Sequence, residues 1–410
     1  MKSNYKKIGD HIREVNVRNT ELKANTLLGI NIDKYYMPSV ANIVGTDMSV
    51  YKIVKRNQFA CNRMHVGRDY RLPVAMSKTE NDFIVSPAYD VFEITDTEKL
   101  LPEYLMMWFS RAEFDRNAWF YTDADVRGGL PWKSFCDMQL PIPKPDKQKE
   151  IVKEYNTIVN RIALNNQLIQ KLEETAQTIY KQWFVDFEFP NKEGKPYKSS
   201  GGEMEMNLEL EKEIPKGWKV NKVGNEFKIT IGRTPPRIQE EWFNSNLDST
   251  DWISIKDIVS CGTYIFNTNE TLSKKAVAKF SIPKIPINTT ILSFKMSIGK
   301  LAITTKEMLS NEAIAHFIIS EETRLSTEYV YCFFDYFKFN ALGTTSSIVD
   351  SINTKIIKDI DIVIPDKEVL LSFNALIKKL FEHKKNKELE TLKLEAIKDL
   401  LLSKLATIEN

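Results

Sequence analysis

KQKEIVKEYNTIVNRIALNNQLIQKLEETAQTIYKQWF, residues 147–184, runs without a glycine or a proline and reads as one long helix. Along it Ile151, Tyr155, Ile158, Ile162, Asn165, Ile169, Leu172, Ala176, Ile179 and Trp183 step alternately by four and three residues. That is the narrow seam of a coiled coil, not the broad stripe of a helix lying on a globular core. Polar Asn165 in mid-seam fixes register at some cost in stability. Pro143 and Pro145 precede the helix, and Asp146 stands where it caps the first turn.

The C-terminus repeats this arrangement. Ile364-Pro365-Asp366 leads into a second run free of glycine and proline, from Lys367 to about Leu405. Leu370, Phe373, Ile377 and Leu380 begin its seam, residues 383–388 form a charged break, and Leu389, Leu392, Ile397, Leu401 and Leu405 resume it less regularly. Neither stripe can be buried alone, so the two helices are expected to pack on one another. Working outward, FCDMQLPIP at 135–143 parallels IKDIDIVIP at 357–365, and Pro102-Glu103-Tyr104-Leu105 parallels Thr327-Glu328-Tyr329-Val330. Met64-His65-Val66-Gly67-Arg68 likewise parallels Met296-Ser297-Ile298-Gly299-Lys300. Short alternating strands are predicted in both copies, for example at 51–54, 83–85, 291–294 and 301–304. The chain is therefore a duplicated unit, a mixed α/β module followed by a long helix, twice. Residues 190–213, rich in Gly, Pro, Ser and charge, read as an exposed linker between the copies.

A chain of 410 residues suits two or three domains, and a hydrophobic share of 42% is that of a globular protein. The opening MKSNYKKIGD lacks the apolar stretch of a signal peptide and no window suits a membrane span, so a cytoplasmic location is expected. Cys61, Cys136, Cys261 and Cys332 are far apart and unaccompanied by histidines, which argues against a disulfide framework or a metal site. The net charge of +2 implies no polyanionic partner by itself, but its distribution does. Residues 50–75 carry Lys52, Lys55, Arg56, Arg63, Arg68 and Arg71 against the single acid Asp69. Residues 271–306 carry Lys274, Lys275, Lys279, Lys284, Lys295, Lys300 and Lys306 and no acid. Two concentrated basic windows suit a protein that grips phosphate at two places; solvated basic hairpins are the plain alternative.

Catalytic motifs are missing. The only Pro-Pro, Pro235-Pro236, does not sit in the Asn/Asp/Ser-Pro-Pro-aromatic setting of a DNA amino-methyltransferase, and no dinucleotide or NTP loop occurs. Glu193-Gly194-Lys195 has part of a nuclease spacing but falls in the expected linker, and there is no G-x-S-x-G. The expected DNA-binding side chains are Arg63, Arg68, Arg71, Lys295, Ser297 and Lys300 around the paired Met-x-x-Gly motifs, where glycine admits close approach of a phosphate. Arg127 before Gly128-Gly129, and Thr344 and Thr345 before Ser346-Ser347, lie in matching loops ahead of the Ile-Pro segments. Arg233, Thr234 and Arg237 surround Pro235-Pro236, while Trp183, Phe184 and Phe187 read as the packed end of the coiled coil.

Over essentially its whole length the chain resembles the specificity subunits of type I restriction-modification systems. The resemblance is carried by Tyr5-Lys-Lys-Ile-Gly-Asp10 with Arg18-Asn19 and by Gln182-Trp183-Phe184-Val185-Asp186-Phe187-Glu188-Phe189-Pro190. It continues in Ile214-Pro215-Lys216-Gly217-Trp218 and Gly232-Arg233-Thr234-Pro235-Pro236. It implies a mixed α+β fold: two α/β target-recognition domains (1–145 and 214–364) joined by two long helical regions (146–189 and 365–410). These helices would form an antiparallel coiled coil with internal pseudo-twofold duplication. It also implies a non-catalytic subunit that reads a split site on double-stranded DNA and docks two modification subunits. S-adenosylmethionine, ATP and magnesium would then belong to the modification and restriction partners, and the joint product would be adenine methylation. A related modification-nuclease system, a self-sufficient methyltransferase and a coiled-coil scaffold are the competing readings.

Overall fold

In the computed structural model the described residues are 4–40, 45–122, 128–243, 248–337, 339 and 352–408. The chain forms two compact units, Met1–Ile162 with Lys393–Asn410, and Ala163–Leu392. The division falls inside both long helices, Pro145–Phe184 and Lys367–Lys404, so each unit owns a share of each helix. Forty residues of helix extend about 60 Å at 1.5 Å per residue.

The first unit is built on an antiparallel sheet in the order Ile12–Val15, Asp90–Ile94, Phe59–Cys61, Val74–Met76. Helices Pro102–Phe109, Ala112–Phe120 and Trp132–Asp137 cover it through Phe59, Phe92, Phe109, Phe114 and Phe135, all buried. Tyr5–Lys7 pairs with Gln139–Pro141, closing the unit just before the central helix. The end of the C-terminal helix joins the same core through Leu402 and Leu405, and the Tyr5 hydroxyl donates to the Ala406 carbonyl at 2.8 Å. Ile151 and Tyr155 pack there from the central helix.

The second unit repeats the plan with a larger sheet, Lys228–Ile231, Ile314–Ile318, Thr290–Ser293, Leu301–Thr304 and Tyr264–Ile265, whose last pair is parallel. Glu270–Ser273, Ser249–Ile253 and Leu309–Ser310 form a further three-stranded sheet. Lys219–Lys222 pairs with Asp361–Ile364, the counterpart of the closing pair in the first unit. The two tyrosines matched in sequence do the same work, since Tyr104 donates to the Pro141 carbonyl at 3.0 Å and Tyr329 to the Val363 carbonyl at 2.8 Å. Each ties a short helix to the strand that leads into a long one.

Within the second unit the helices run antiparallel. Phe184 lies 4.8 Å from Phe373, Trp183 5.9 Å from the same ring, and Glu173 pairs with Lys384 further along. Ile169, Leu172, Ile179 and Trp183 are half-buried and Asn165 is buried, as Ile158 and Ile162 are half-buried on the first unit's share of the helix. Trp183, Phe184 and Phe187 all belong to the core at that end. On the C-terminal helix Phe373 and Ile377 are buried and Leu380 half-buried, but Leu392 is 38% exposed and is not a seam residue. The helix runs through 383–388 as expected, but the charged residues do not interrupt its seam. Its three-four stepping continues through Phe381, Lys384, Glu388 and Thr391, so a seam restarted on apolar residues falls out of phase.

The charged stretch has its own task. Lys384 is only 3% exposed, and the Glu388 carboxylate accepts from the backbone N–H of Thr263 (3.0 Å) and Tyr264 (2.8 Å), holding the edge of the sheet to the helix. Burial pushes the Glu388 carboxyl above its ordinary range. Residues 190–213 are likewise not a free linker. Met204–Asn207 and Lys212–Pro215 form a hairpin, and Phe189 stacks between Tyr197 (4.5 Å) and Trp218 (5.0 Å). The central helix begins at Pro145, so Asp146 lies inside its first turn, while Asp366 accepts from the Val369 N–H at 3.0 Å at the start of the other.

Candidate nucleic-acid interface

In each unit the Met-x-x-Gly segment joins two neighbouring antiparallel strands, Phe59–Cys61 with Val74–Met76 and Thr290–Ser293 with Leu301–Thr304. In the first unit the connection abuts residues 128–130, ahead of the Ile-Pro strand. In the first unit the Gly67 N–H donates to the Gly128 carbonyl at 2.8 Å, and a Cβ on either glycine would stand 2.7 Å from the other's Cα. Only glycine at both positions permits this backbone contact. The Leu130 N–H donates to the Arg63 carbonyl at 2.9 Å, completing the seam. Arg127, immediately before it, lies outside the described residues, as do Thr344, Thr345, Ser346 and Ser347.

The basic side chains of the first unit are engaged internally. Arg63 bonds Asp90 at 2.6 Å, donates to the Leu130 carbonyl and lies 5.4 Å from the Trp132 ring centroid, largely shielded from solvent. Arg68 makes a two-pronged contact with Asp69 at 2.7 and 3.0 Å, and Arg71 meets Asp33 at 2.8 Å; both pairs are exposed. Beside them stands an aromatic surface that sequence reading passed over. Exposed Tyr70 and Trp119 are in ring contact at 5.2 Å, and exposed Phe120 and Tyr121 follow. The run Trp119-Phe120-Tyr121 at the end of a short helix was the available signal.

The second unit holds its turn differently. The Ser293 hydroxyl donates to the Ser297 carbonyl and accepts from the Lys300 N–H at 3.2 Å, while the Gly299 N–H donates to the Ser293 carbonyl at 2.9 Å. The Ile352 N–H donates to the Phe294 carbonyl at 2.9 Å, so Ile352 lies at the base of this turn. Lys295 is half-exposed and Lys300 exposed, and among the described residues neither has a carboxylate within ion-pair reach. Other lysines of the window are paired: Lys274 with Asp248, Lys284 with Glu307 and Lys306 with Asp251.

Arg233 and Thr234 approach the other side of the 310–313 turn. The Arg233 N–H donates to the Ser310 carbonyl at 2.9 Å, Thr234 donates to Glu312 at 2.5 Å, and the Phe294 N–H donates to the Ala313 carbonyl at 3.0 Å. Arg237 is bound by Glu270 at 2.5 and 3.1 Å and lies over the rings of Phe243 and Trp252. It braces the three-stranded sheet, whereas the exposed Arg233 guanidinium donates once, to the Phe280 carbonyl at 3.0 Å.

No family model matches the chain. It is 23% identical over 436 aligned residues to the type I restriction enzyme HindI specificity subunit of Haemophilus influenzae, covering 91% of each chain. It is 26% identical over 307 residues to the type I restriction enzyme MjaIX specificity subunit of Methanocaldococcus jannaschii, covering 68% of this chain and 64% of that one. Among solved structures it superposes on the S subunit of a type I restriction-modification system from M. genitalium with a TM-score of 0.59 at 11% identity, covering 99% of this chain and 96% of that one. The chain is thus similar in sequence, along 91% of its length, to a type I restriction enzyme specificity subunit, and it shares the fold of a solved S subunit.

Proposed function

We propose that this chain is the DNA-specificity subunit of a type I restriction-modification complex, working in the cytoplasm and contributing no catalytic groups of its own. Residues 1–145 and 214–364 act as two target-recognition domains, each reading one half of a split double-stranded site. The paired helices set the gap between the halves and dock two modification subunits. Those partners supply S-adenosylmethionine-dependent adenine methylation, and restriction subunits supply the ATP- and magnesium-dependent cutting. The observation that carries this reading is the backbone contact, in the first unit, of the Met-x-x-Gly segment with residues 128–130 ahead of the Ile-Pro strand, beside the Ile352–Phe294 backbone bond at the base of the matching turn in the second unit. Sequence reading assigned both segments to DNA independently. Base edges are read by a few side chains on such loops, while nearby cations fix register on the phosphates.

Exchanging residues 222–361 for the same region of another specificity subunit tests it. The complex is expected to methylate a site changed in one half and unchanged in the other; change in both halves, or methyl transfer by the chain alone, overturns it. The helical ruler has its own test. Inserting one heptad after Ile169 and one after Leu389 lengthens both helices by about 10 Å and preserves the seam. The preferred gap then grows by roughly three base pairs. An active complex that keeps the original gap refutes the ruler.

A further inference from the structure

Lys295-Met296-Ser297-Ile298-Gly299-Lys300 carries the chain from strand Thr290–Ser293 to strand Leu301–Thr304. At its tip Met296 is 82% exposed with φ +64°, in the left-handed region that residues with a side chain rarely occupy. The Ser297 N–H donates to the Lys295 carbonyl at 2.8 Å, two residues back. Met296 is therefore the centre of a γ-turn of the rare, strained hand. The strain is held from below by the Ser293 hydroxyl, which bonds both Ser297 and Lys300, and by the Gly299–Ser293 backbone bond.

The turn needs glycine at Gly299, where φ is +84°, but it does not need methionine at its tip. Glycine or asparagine would accept φ +64° at lower cost and would suit solvent better. A single exposed apolar side chain is ordinary on a protein surface. One held outward on a strained and pinned backbone, between two cations that have no acid partner among the described residues, is not. Lys295 and Lys300 bracket an apolar tip, which fits a ligand that presents anions on both sides of an apolar feature. A DNA groove has that layout, with phosphate walls flanking the base edges. In the major groove the apolar group on those edges is the 5-methyl of thymine. The first unit keeps Met64 at the matching position, 39% exposed.

We infer that Met296 is a base-reading residue, packing its side chain against the 5-methyl group of a thymine in the half-site read by the second unit. The inference rests on the DNA-specificity reading above and adds to it a residue and the base group it recognises. Once the methylated site is known, each thymine of that half is replaced singly by deoxyuridine, which lacks only the methyl, and binding is measured with the full chain and its modification partner. One replacement is expected to weaken binding about 3- to 5-fold, the worth of one buried methyl. Met296→Ala is expected to abolish that sensitivity at the same position, and Met296→Leu to keep it. Met296→Gly relieves the backbone and should melt no lower than the parent, which separates reading from folding. If no thymine is sensitive, if the half-site holds none, or if the sensitivity survives in Met296→Ala, the inference falls and the DNA-specificity reading stands. A minor-groove wedge, which would be indifferent to the methyl, gives that result. Failure to bind any sequence preferentially with the partner present takes down the DNA-specificity reading itself.

Discussion

The two basic windows, matched in sequence, are built on opposite principles. At its turn the first uses arginines and neutralises them with Asp90, Asp69 and Asp33; at its turn the second carries Lys295 and Lys300, which have no acid partner among the described residues. A guanidinium presents a planar fork that matches a carboxylate two-pronged, whereas an ammonium is a point charge that suits a phosphate met from any side. Six basic residues in one window and seven in the other thus give a braced surface with exposed aromatic rings in one unit and, among the described residues, a pair of lysines without acid partners in the other. The sign and density of charge in a window say little until the partners of each charge are known.

The largest effect expected from this contrast is on stability. Arg63→Ala removes one member of a pair shielded from solvent and leaves Asp90 without its cation, so the first unit should lose about 3 kcal/mol. Lys295→Ala should melt with the parent chain. Urea unfolding of the full chain checks both, and a loss under about 1 kcal/mol for Arg63→Ala would show that the brace is dispensable. Next comes the acid sensitivity that the buried His316 gives the second unit. His316 is buried with Nε2 2.7 Å from the Ser310 hydroxyl and Nδ1 2.9 Å from the Thr230 hydroxyl, and burial lowers its pKa to about 3. The unfolded chain titrates near 6.5, so it binds the proton more readily than the folded one. Stability from keeping His316 neutral is whole above about pH 6.5 and is lost as pH falls toward 3, about 2 kcal/mol of it by pH 5. His316→Gln should flatten that part of the pH dependence; an unchanged slope would place the acid sensitivity elsewhere.

How far such features were legible follows from their range along the chain. The helices were legible because their signal is local, a three-four step over ten positions, and the same step corrects the reading at Leu392 once the seam is seen to pass through Lys384 and Glu388. Residues 190–213 were misread because composition cannot show that Phe189, Tyr197 and Trp218 meet as a stack across nearly thirty residues. The closing strands were legible through the repeat, since Tyr104 and Tyr329 preserve one hydrogen bond in two copies. At the interface the position of each turn was legible and its electrostatics was not. Asp69 is adjacent to Arg68, but Asp90 and Asp33 reach Arg63 and Arg71 only through the fold.

The last two expectations measure the contrast on DNA. Lys295→Ala with Lys300→Ala should weaken binding of the assembled complex to all sequences alike. The slope of log affinity against log salt should shrink by about one to two units, near 0.9 for each phosphate left without its cation. Arg68→Ala with Arg71→Ala should change the slope less, and by under about one unit. Each of these arginines already holds a carboxylate, so taking up a phosphate would first require breaking that pair and rehydrating Asp69 or Asp33. Both pairs are exposed, however, and exposed pairs are weak, so the barrier to such an exchange is small. The magnitude is therefore diagnostic. A slope change equal to that of the lysine pair would show that DNA displaces Asp69 and Asp33, that the first window is a latent copy of the second, and that the pairs form only in its absence. No change at all would leave the first unit gripping DNA by other means. The exposed surface of Tyr70, Trp119, Phe120 and Tyr121 then becomes the place to substitute next.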